Sequence, residues 1–323
     1  MPETMRRTQR LSALLLLAAL LPSCWTRRHA SDFESEIVLP VAREHHWTVK
    51  GRLANGVRGR FIFDTGSDET LVMKRFVEEH DLELEPVRGA FVIRLWGGAQ
   101  ERVRNFVHLR GLSFHGVRIE DHLAPVIDQP LFVAGVLGMD VMGDWVMLFD
   151  ARQRQVRLLE RGSVRRRLAA LYPGLAWEHL PLVLNGSRPY VEVDLPDGRR
   201  EPFLIDTGSS RTTLPPRLIS ELGLRRASGW TAAAFEAALR AHLAMREITL
   251  DGGGAPDHPT FEGVWPAPIE SYRLPYLGIG SLAFSVPVEV LDREGGLLGW
   301  DVLAHFPFVV DARARRFWIP RRP

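Results

Sequence analysis

Apolar residues along this chain fall in short runs, alternating or continuous, interrupted every few positions by Gly, Asn, Asp or Pro. That is the pattern of many short strands joined by tight turns. Trp47–Leu53 and Arg60–Asp64 flank Asn55-Gly56, a strong hairpin signal. Tyr190–Leu195 and Pro202–Asp206 flank Pro196-Asp197-Gly198-Arg199 in the same way, and Phe91–Leu109 reads as a hairpin turning at Gly97-Gly98, with Trp96 as its tip aromatic. Helical periodicity is sparse. Thr70–His80 is one candidate, and Thr231–Leu243 (TAAAFEAALRAHL) is the clearest, with Thr231 as its N-cap.

The same landmarks occur twice, in the same order. Leu39-Pro40 returns as Leu180-Pro181, and Asp64-Thr65-Gly66 returns as Asp206-Thr207-Gly208, 142 residues later. Gly138, Asp140, Asp150, Ala151 and Arg152 return as Gly299, Asp301, Asp311, Ala312 and Arg313, 161 residues later. The second copy therefore holds 19 extra residues between its landmarks (161 − 142). Duplication of one all-β unit predicts two similar lobes. The boundaries expected are an N-terminal lobe over 37–160, a connector over 161–178 containing Arg165-Arg166-Arg167, and a C-terminal lobe over 179–323.

The first 36 residues follow other rules. Arg6, Arg7 and Arg10 precede the apolar stretch Leu11–Leu21, the layout of an export signal over 1–23. It ends Leu21-Pro22-Ser23-Cys24, which resembles a bacterial lipobox with Cys24 as the acylated residue, followed by a polar tether over 24–36. With Trp25 next to the cysteine, the resemblance implies an outer-membrane lipid anchor facing the periplasm. Cys24 is the only cysteine, so no internal disulfide braces the fold. Without residues 1–23 the chain has 38 basic and 38 acidic residues, a balance that gives no electrostatic case for nucleic acid.

Chemistry concentrates at the two Asp-Thr-Gly sequences, each at the end of an apolar run: Phe61-Ile62-Phe63 and Phe203-Leu204-Ile205. A carboxylate between a buried strand and a glycine turn is desolvated, and its pKa rises. Two such carboxylates in contact share one proton, and the pair can both activate a water and protonate a carbonyl. FIFDTGS with Val136-Leu137-Gly138, and FLIDTGS with Leu297-Leu298-Gly299, resemble the pepsin/retropepsin class of aspartic proteases. The resemblance implies a bilobal pepsin-like fold, catalytic roles for Asp64 and Asp206, and Thr65 and Thr207 bonding across to the opposite lobe. It also implies turns at Gly66 and Gly208, Ser67 and Ser209 hydroxyls on the outer carboxylate oxygens, and Gly138 and Gly299 beneath the active loops. Both halves in one chain imply a monomer acting on an extended polypeptide, with no cofactor.

Other acids read as structural. Asp140 and Asp301 are expected to be N-caps of short helices. Asp150 and Asp311 are expected in hairpin turns as solvated charges, and Asp68 is expected to face solvent. No HExxH or Cys/His spacing suggests zinc, and no GxSxG or GxxxxGK[ST] sequence occurs. The first lobe has no tyrosine to close over a cleft, since all four tyrosines lie at Tyr172 and beyond. That departure favours an alternative in which the same cleft binds peptides or wall fragments without cutting them.

Overall fold

The computed structural model describes residues 37–40, 47–94, 100–129, 131, 133–226 and 271–321. The export signal, Cys24, the tether, the tip of the first-lobe hairpin with Trp96, and the Thr231–Leu243 segment lie outside the described residues. The architecture is all-β and bilobal, with a few short helices.

After β1 (Ile37–Pro40), the first lobe contains β2 (Thr48–Arg52), β3 (Arg58–Phe63), β4 (Leu71–Met73), α1 (Lys74–Glu79), β5 (Leu84–Arg94), β6 (Gln100–His108), β7 (Leu112–Phe114), β8 (Val117–Ile119), β9 (Leu123–Ile127), β10 (Gly135–Leu137) and α2 (Met139–Met142). Its sheet has the order β5-β6-β9-β4-β10-β3-β2-β7-β8. The expected turn at Asn55-Gly56 joins β2 to β3, with Gly56 at φ 90°. The Thr70–His80 candidate divides into β4 and α1, because Leu71-Val72-Met73 is wholly buried between neighbouring strands.

The chain continues through β11 (Val146–Asp150), β12 (Gln155–Leu159), α3 (Val164–Leu171) and β13 (Trp177–Asn185). The second lobe then adds β14 (Arg188–Asp194), β15 (Arg200–Ile205), β16 (Thr213–Leu214), α4 (Pro216–Glu221), β17 (Ser271–Ile279), β18 (Leu282–Val290), β19 (Gly296–Leu298), α5 (Trp300–Leu303), β20 (Phe308–Asp311) and β21 (Arg316–Pro320). Strands β14, β15, β19, β16, β18 and β17 follow one another, and a β14–β17 pairing at Asp194 and Gly278 closes them into a barrel.

Between the lobes runs a sheet in the order β1-β12-β11-β20-β21-β13, three strands from each copy of the repeat. Leu148 pairs with Val309 at its centre, Met147 with Val310 on one side and Phe149 with Phe308 on the other. Leu148 and Val309 are repeat equivalents at the 161-residue offset, so the pseudo-two-fold axis passes between them. Phe149 and Phe308 stack with centroids 4.9 Å apart, and Trp47 of the first lobe meets Trp300 of the second at 4.8 Å. One continuous core thus runs through both lobes on this face.

The opposite face explains why the expected connector is a helix. Val146, Leu148, Val309 and Trp318 point outward from the central strands, and Val164 and Leu168 of α3 cover them. Val164, Leu168 and Leu171 form an i, i+4, i+7 stripe that the intervening arginines obscure in the sequence. The Asp-Ala-Arg turns also differ from expectation. Asp150 is only 2% exposed and accepts hydrogen bonds from the Gln153 amide (2.9 Å) and the Tyr172 hydroxyl (2.5 Å), while Asp311, 9% exposed, accepts one from the Ala314 amide (3.0 Å). These carboxylates tie their hairpins from inside, where solvated charges were expected.

Phe308→Ala should cost about 3–5 kcal/mol of stability, since it removes a buried aromatic at the interlobe stack. Val183→Ala, at a 58% exposed position, should change stability by less than about 0.5 kcal/mol; chemical denaturation of both variants checks the contrast.

Candidate active site

Each Asp-Thr-Gly loop is built by the same local device. β3 delivers Asp64 at its end, where the Asp64 amide donates to the Leu137 carbonyl (3.0 Å) of parallel β10. β15 delivers Asp206, whose amide donates to the Leu298 carbonyl (3.1 Å) of parallel β19. The chain then passes directly over Gly138 and Gly299. A Cβ on Gly138 would lie 2.3 Å from the Glu69 carbonyl carbon, and one on Gly299 would lie 2.3 Å from that of Arg211. Both glycines are required by this close backbone approach, as their expected place beneath the loops implied.

The loops complete each other across the axis. Thr207 Oγ accepts from the Thr65 amide (3.0 Å) and donates to the Phe63 carbonyl (2.7 Å). Thr65 Oγ accepts from the Thr207 amide (3.2 Å) and donates to the Ile205 carbonyl (2.5 Å). Both threonines are fully buried, so neither lobe satisfies its own loop without the other. Gly66 packs against the carboxyl of Asp206 and Gly208 against that of Asp64, with an added Cβ 2.4 and 2.3 Å from the respective Cγ atoms. The two glycines let each loop approach the opposite acid.

The expectation for the serines needs correction. Ser67 Oγ donates to the Glu69 carbonyl (2.7 Å) and Ser209 Oγ to the Arg211 carbonyl (2.9 Å), so both hydroxyls brace the loop backbone and leave the carboxylates to other donors. Backbone amides take that place. Gly66 N–H donates to Asp64 Oδ1 (2.7 Å), and Gly208 and Ser209 N–H donate to Asp206 Oδ1 (3.0 and 2.9 Å).

Asp64 and Asp206 hydrogen-bond each other. Burial drives the Asp64 pKa well above the ordinary aspartate range, and the negative charge and hydrogen bond of Asp206 drive it further. Asp206 is also raised by burial, but its bond from Asp64, the Arg293 cation and the Gly208 and Ser209 amides oppose the rise. The pair as a whole therefore holds a proton more tightly than an ordinary aspartate would. Such a pair can act as acid and base on one substrate.

A second layer went unrecognised in the sequence. Thr70 gives its amide and hydroxyl to Asp140 (2.9 and 2.7 Å), and its Oγ accepts from the Gly138 amide (3.0 Å). Thr212 does the same with Asp301 (3.0 and 2.6 Å) and the Gly299 amide (3.1 Å). Asp140 and Asp301 are therefore anchors for the loop threonines, while Gly138 and Gly299 occupy the N-cap positions. The signal was present: Thr70 and Thr212 recur at the same 142-residue offset as the motif aspartates. The short helices α2 and α5 also donate to the loops, with Met139 N–H to Ser67 O (2.9 Å) and Trp300 N–H to Ser209 O (2.8 Å).

Asp68, expected to face solvent, has a 42% exposed side chain and is also gripped by the other lobe. It accepts from Ser187 N–H (2.8 Å) and Ser187 Oγ (2.7 Å), and Arg188 Nε lies 2.8 Å from its Oδ2. The β13–β14 turn that holds it is thus a further clamp between the halves.

Two lobes presenting equivalent Asp-Thr-Gly loops to one centre define a bilobal aspartic-protease architecture. Residues 49–141 match the family model described as aspartyl protease, and this part of the chain is similar to retropepsin-like aspartyl proteases. The match covers Asp64 through Gly138; the equivalent second-lobe loop is related to it by the geometry above. A search of curated proteins finds no match.

The raised pKa of Asp64 has a signed consequence. Between the ordinary aspartate pKa and the folded value, the folded protein keeps a proton that the unfolded chain has released, so stability falls as pH rises through that window. Asp64→Asn removes this titration while keeping a neutral donor of the same shape. The variant should melt higher than the parent near pH 7, by roughly 2–4 °C or more, with the gap closing near about pH 3.5; calorimetry across pH tests it.

Proposed function

We propose that the chain is an aspartic endopeptidase, with Asp64 and Asp206 as its catalytic pair. The observation carrying this reading is the pair of buried carboxyls that meet across the lobe axis, each supported by backbone amides. The ionised carboxyl of the pair takes a proton from a water held between the two. The protonated carboxyl gives its proton to the carbonyl oxygen of the scissile peptide as the water oxygen bonds to the carbonyl carbon. The tetrahedral intermediate then collapses as the amide nitrogen is protonated from the pair, and the C–N bond breaks. No covalent intermediate with the protein is needed. An extended polypeptide suits a site whose donors and acceptors lie along the seam between two lobes.

The cellular setting follows from the first residues of the chain. Export with acylation at Cys24 would tether the enzyme to a bacterial envelope, with the outer membrane facing the periplasm as the preferred site. Replacement of Cys24 by Ser should shift the protein from the membrane fraction to the soluble fraction, and mass spectrometry of the parent should find an acylated N-terminal Cys24. Recovery of an unmodified, uncleaved N-terminus would remove this assignment.

For the chemistry, Asp64→Asn and Asp206→Asn should each lower the cleavage rate of an unfolded test protein by at least about 10³-fold. Circular dichroism should show an unchanged fold. Parent-like turnover by either variant overturns the mechanism.

A further inference from the structure

Beneath each catalytic loop sits a small charge cluster, and the two clusters have one formula with different parts. In the second lobe, Asp301 anchors Thr212, and Arg211 faces Glu289 with Nε 3.6 Å from Oε1. In the first lobe, Asp140 anchors Thr70, and His122 Nε2 lies 3.0 Å from Asp140 Oδ2. Glu69 stands where the repeat puts Arg211, 142 residues away. Two acids and one cation thus support each loop. The second lobe's cation is a guanidinium, charged at every physiological pH. The first lobe's partner is an imidazole, whose charge, unlike that of a guanidinium, depends on pH.

The first-lobe cluster is secluded. The His122 and Asp140 side chains are 14% and 13% exposed, and Glu69 Oε2 and His122 Nε2 are both shut away from solvent without hydrogen-bond geometry to a partner among the described residues, so His122 meets Asp140 as an ionic contact. His122 acts on both acids, and its charge opposes the rise that burial, Asp140 and Asp68 impose on Glu69. The charges around it are otherwise engaged. Asp68 is held by Arg188, and Asp121, next to His122 in the chain, turns to His108 Nδ1 at 3.1 Å. Neutral His122 leaves Glu69 and Asp140 as neighbouring carboxylates with no cation between them among the described residues, directly under the loop that carries Asp64.

We propose that His122 is a positioning residue whose positive charge holds the Asp140–Thr70 frame under the Asp64 loop, so that rising pH loosens the first lobe's half of the site while Arg211 keeps the second half fixed. The effect on cleavage rests on the proteolytic reading above, but the effect on the loop does not. The sign follows from the pairing: the stabilising contact is complete at acid pH and is lost as the imidazole gives up its proton.

The test uses the full chain and the variants His122→Gln, which keeps a donor without charge, and His122→Lys, which keeps charge at all working pH. Hydrogen-exchange mass spectrometry at about pH 5.5 and about pH 7.5 compares residues 64–73 with their repeat equivalents 206–215, after correction for intrinsic exchange. In the parent, protection of 64–73 relative to 206–215 should fall as pH rises. His122→Gln should show the low value at both pH values, and His122→Lys the high value at both. In the cleavage assay, His122→Gln should lower kcat about tenfold at acid pH with KM unchanged, whereas His122→Lys should keep the acid-pH kcat and hold it to higher pH than the parent. Identical protection ratios in all three proteins, at both pH values, would overturn the proposal. If the parent cuts nothing, the proteolytic reading fails while the exchange measurement still decides the role of His122.

Discussion

The crossed threonine pair is the constraint on which the rest depends. Each hydroxyl accepts an amide proton from the other loop and donates to a carbonyl of the other lobe's strand, within a fully buried centre. A buried amide or carbonyl left without a partner costs about 1–3 kcal/mol, so separating the loops would expose several such losses together. The same contacts bring Gly66 against Asp206 and Gly208 against Asp64. Two acids that would repel at any other spacing are thereby held where one proton must serve both. The altered pKa values are consequences of this packing, and the packing is a consequence of where each lobe lacks partners.

Symmetry of the backbone coexists with asymmetry of charge. Strand order, glycine crossings and threonine anchors repeat in both lobes, yet Asp140 is held below its ordinary pKa beside His122 while burial pushes Asp301 up to about 6. Arg293 acts on Asp206, whose rise it opposes. Asp68 is clamped by Arg188, where the second lobe has Ser210 at the repeat position. A duplicated frame keeps the geometry that both halves must share. Side chains around it are free to divide the roles of acid and base.

Much of this was legible in the sequence, because the features concerned are local. Asn55-Gly56 and Pro196-Asp197-Gly198-Arg199 announce their hairpins, and apolar runs ending in Asp-Thr-Gly announce the loops. Features that depend on distant partners were harder to read. The arginines of α3 concealed a helix whose apolar stripe matters only once the interlobe sheet exists to be covered. Asp150 looked like a surface turn residue because Tyr172, its half-buried partner, lies 22 residues away. Asp140 and Asp301 looked like caps because Thr70 and Thr212 reach them only after the chain has crossed over Gly138 and Gly299. The serine hydroxyls turned to loop carbonyls for a related reason: main-chain donors already supply the carboxylates.

The central strand pair carries an implication for the isolated halves. β11 meets β20 antiparallel, and the residues at its midpoint, Leu148 and Val309, are counterparts in the repeat. A fragment ending near residue 160 would therefore bare a β11 edge already shaped to receive an antiparallel strand of its own kind. Unprotected edges of this sort recruit other chains. The expected fate of such a fragment is self-association through β11, giving a homodimer with true two-fold symmetry and two copies of Asp64 at its centre.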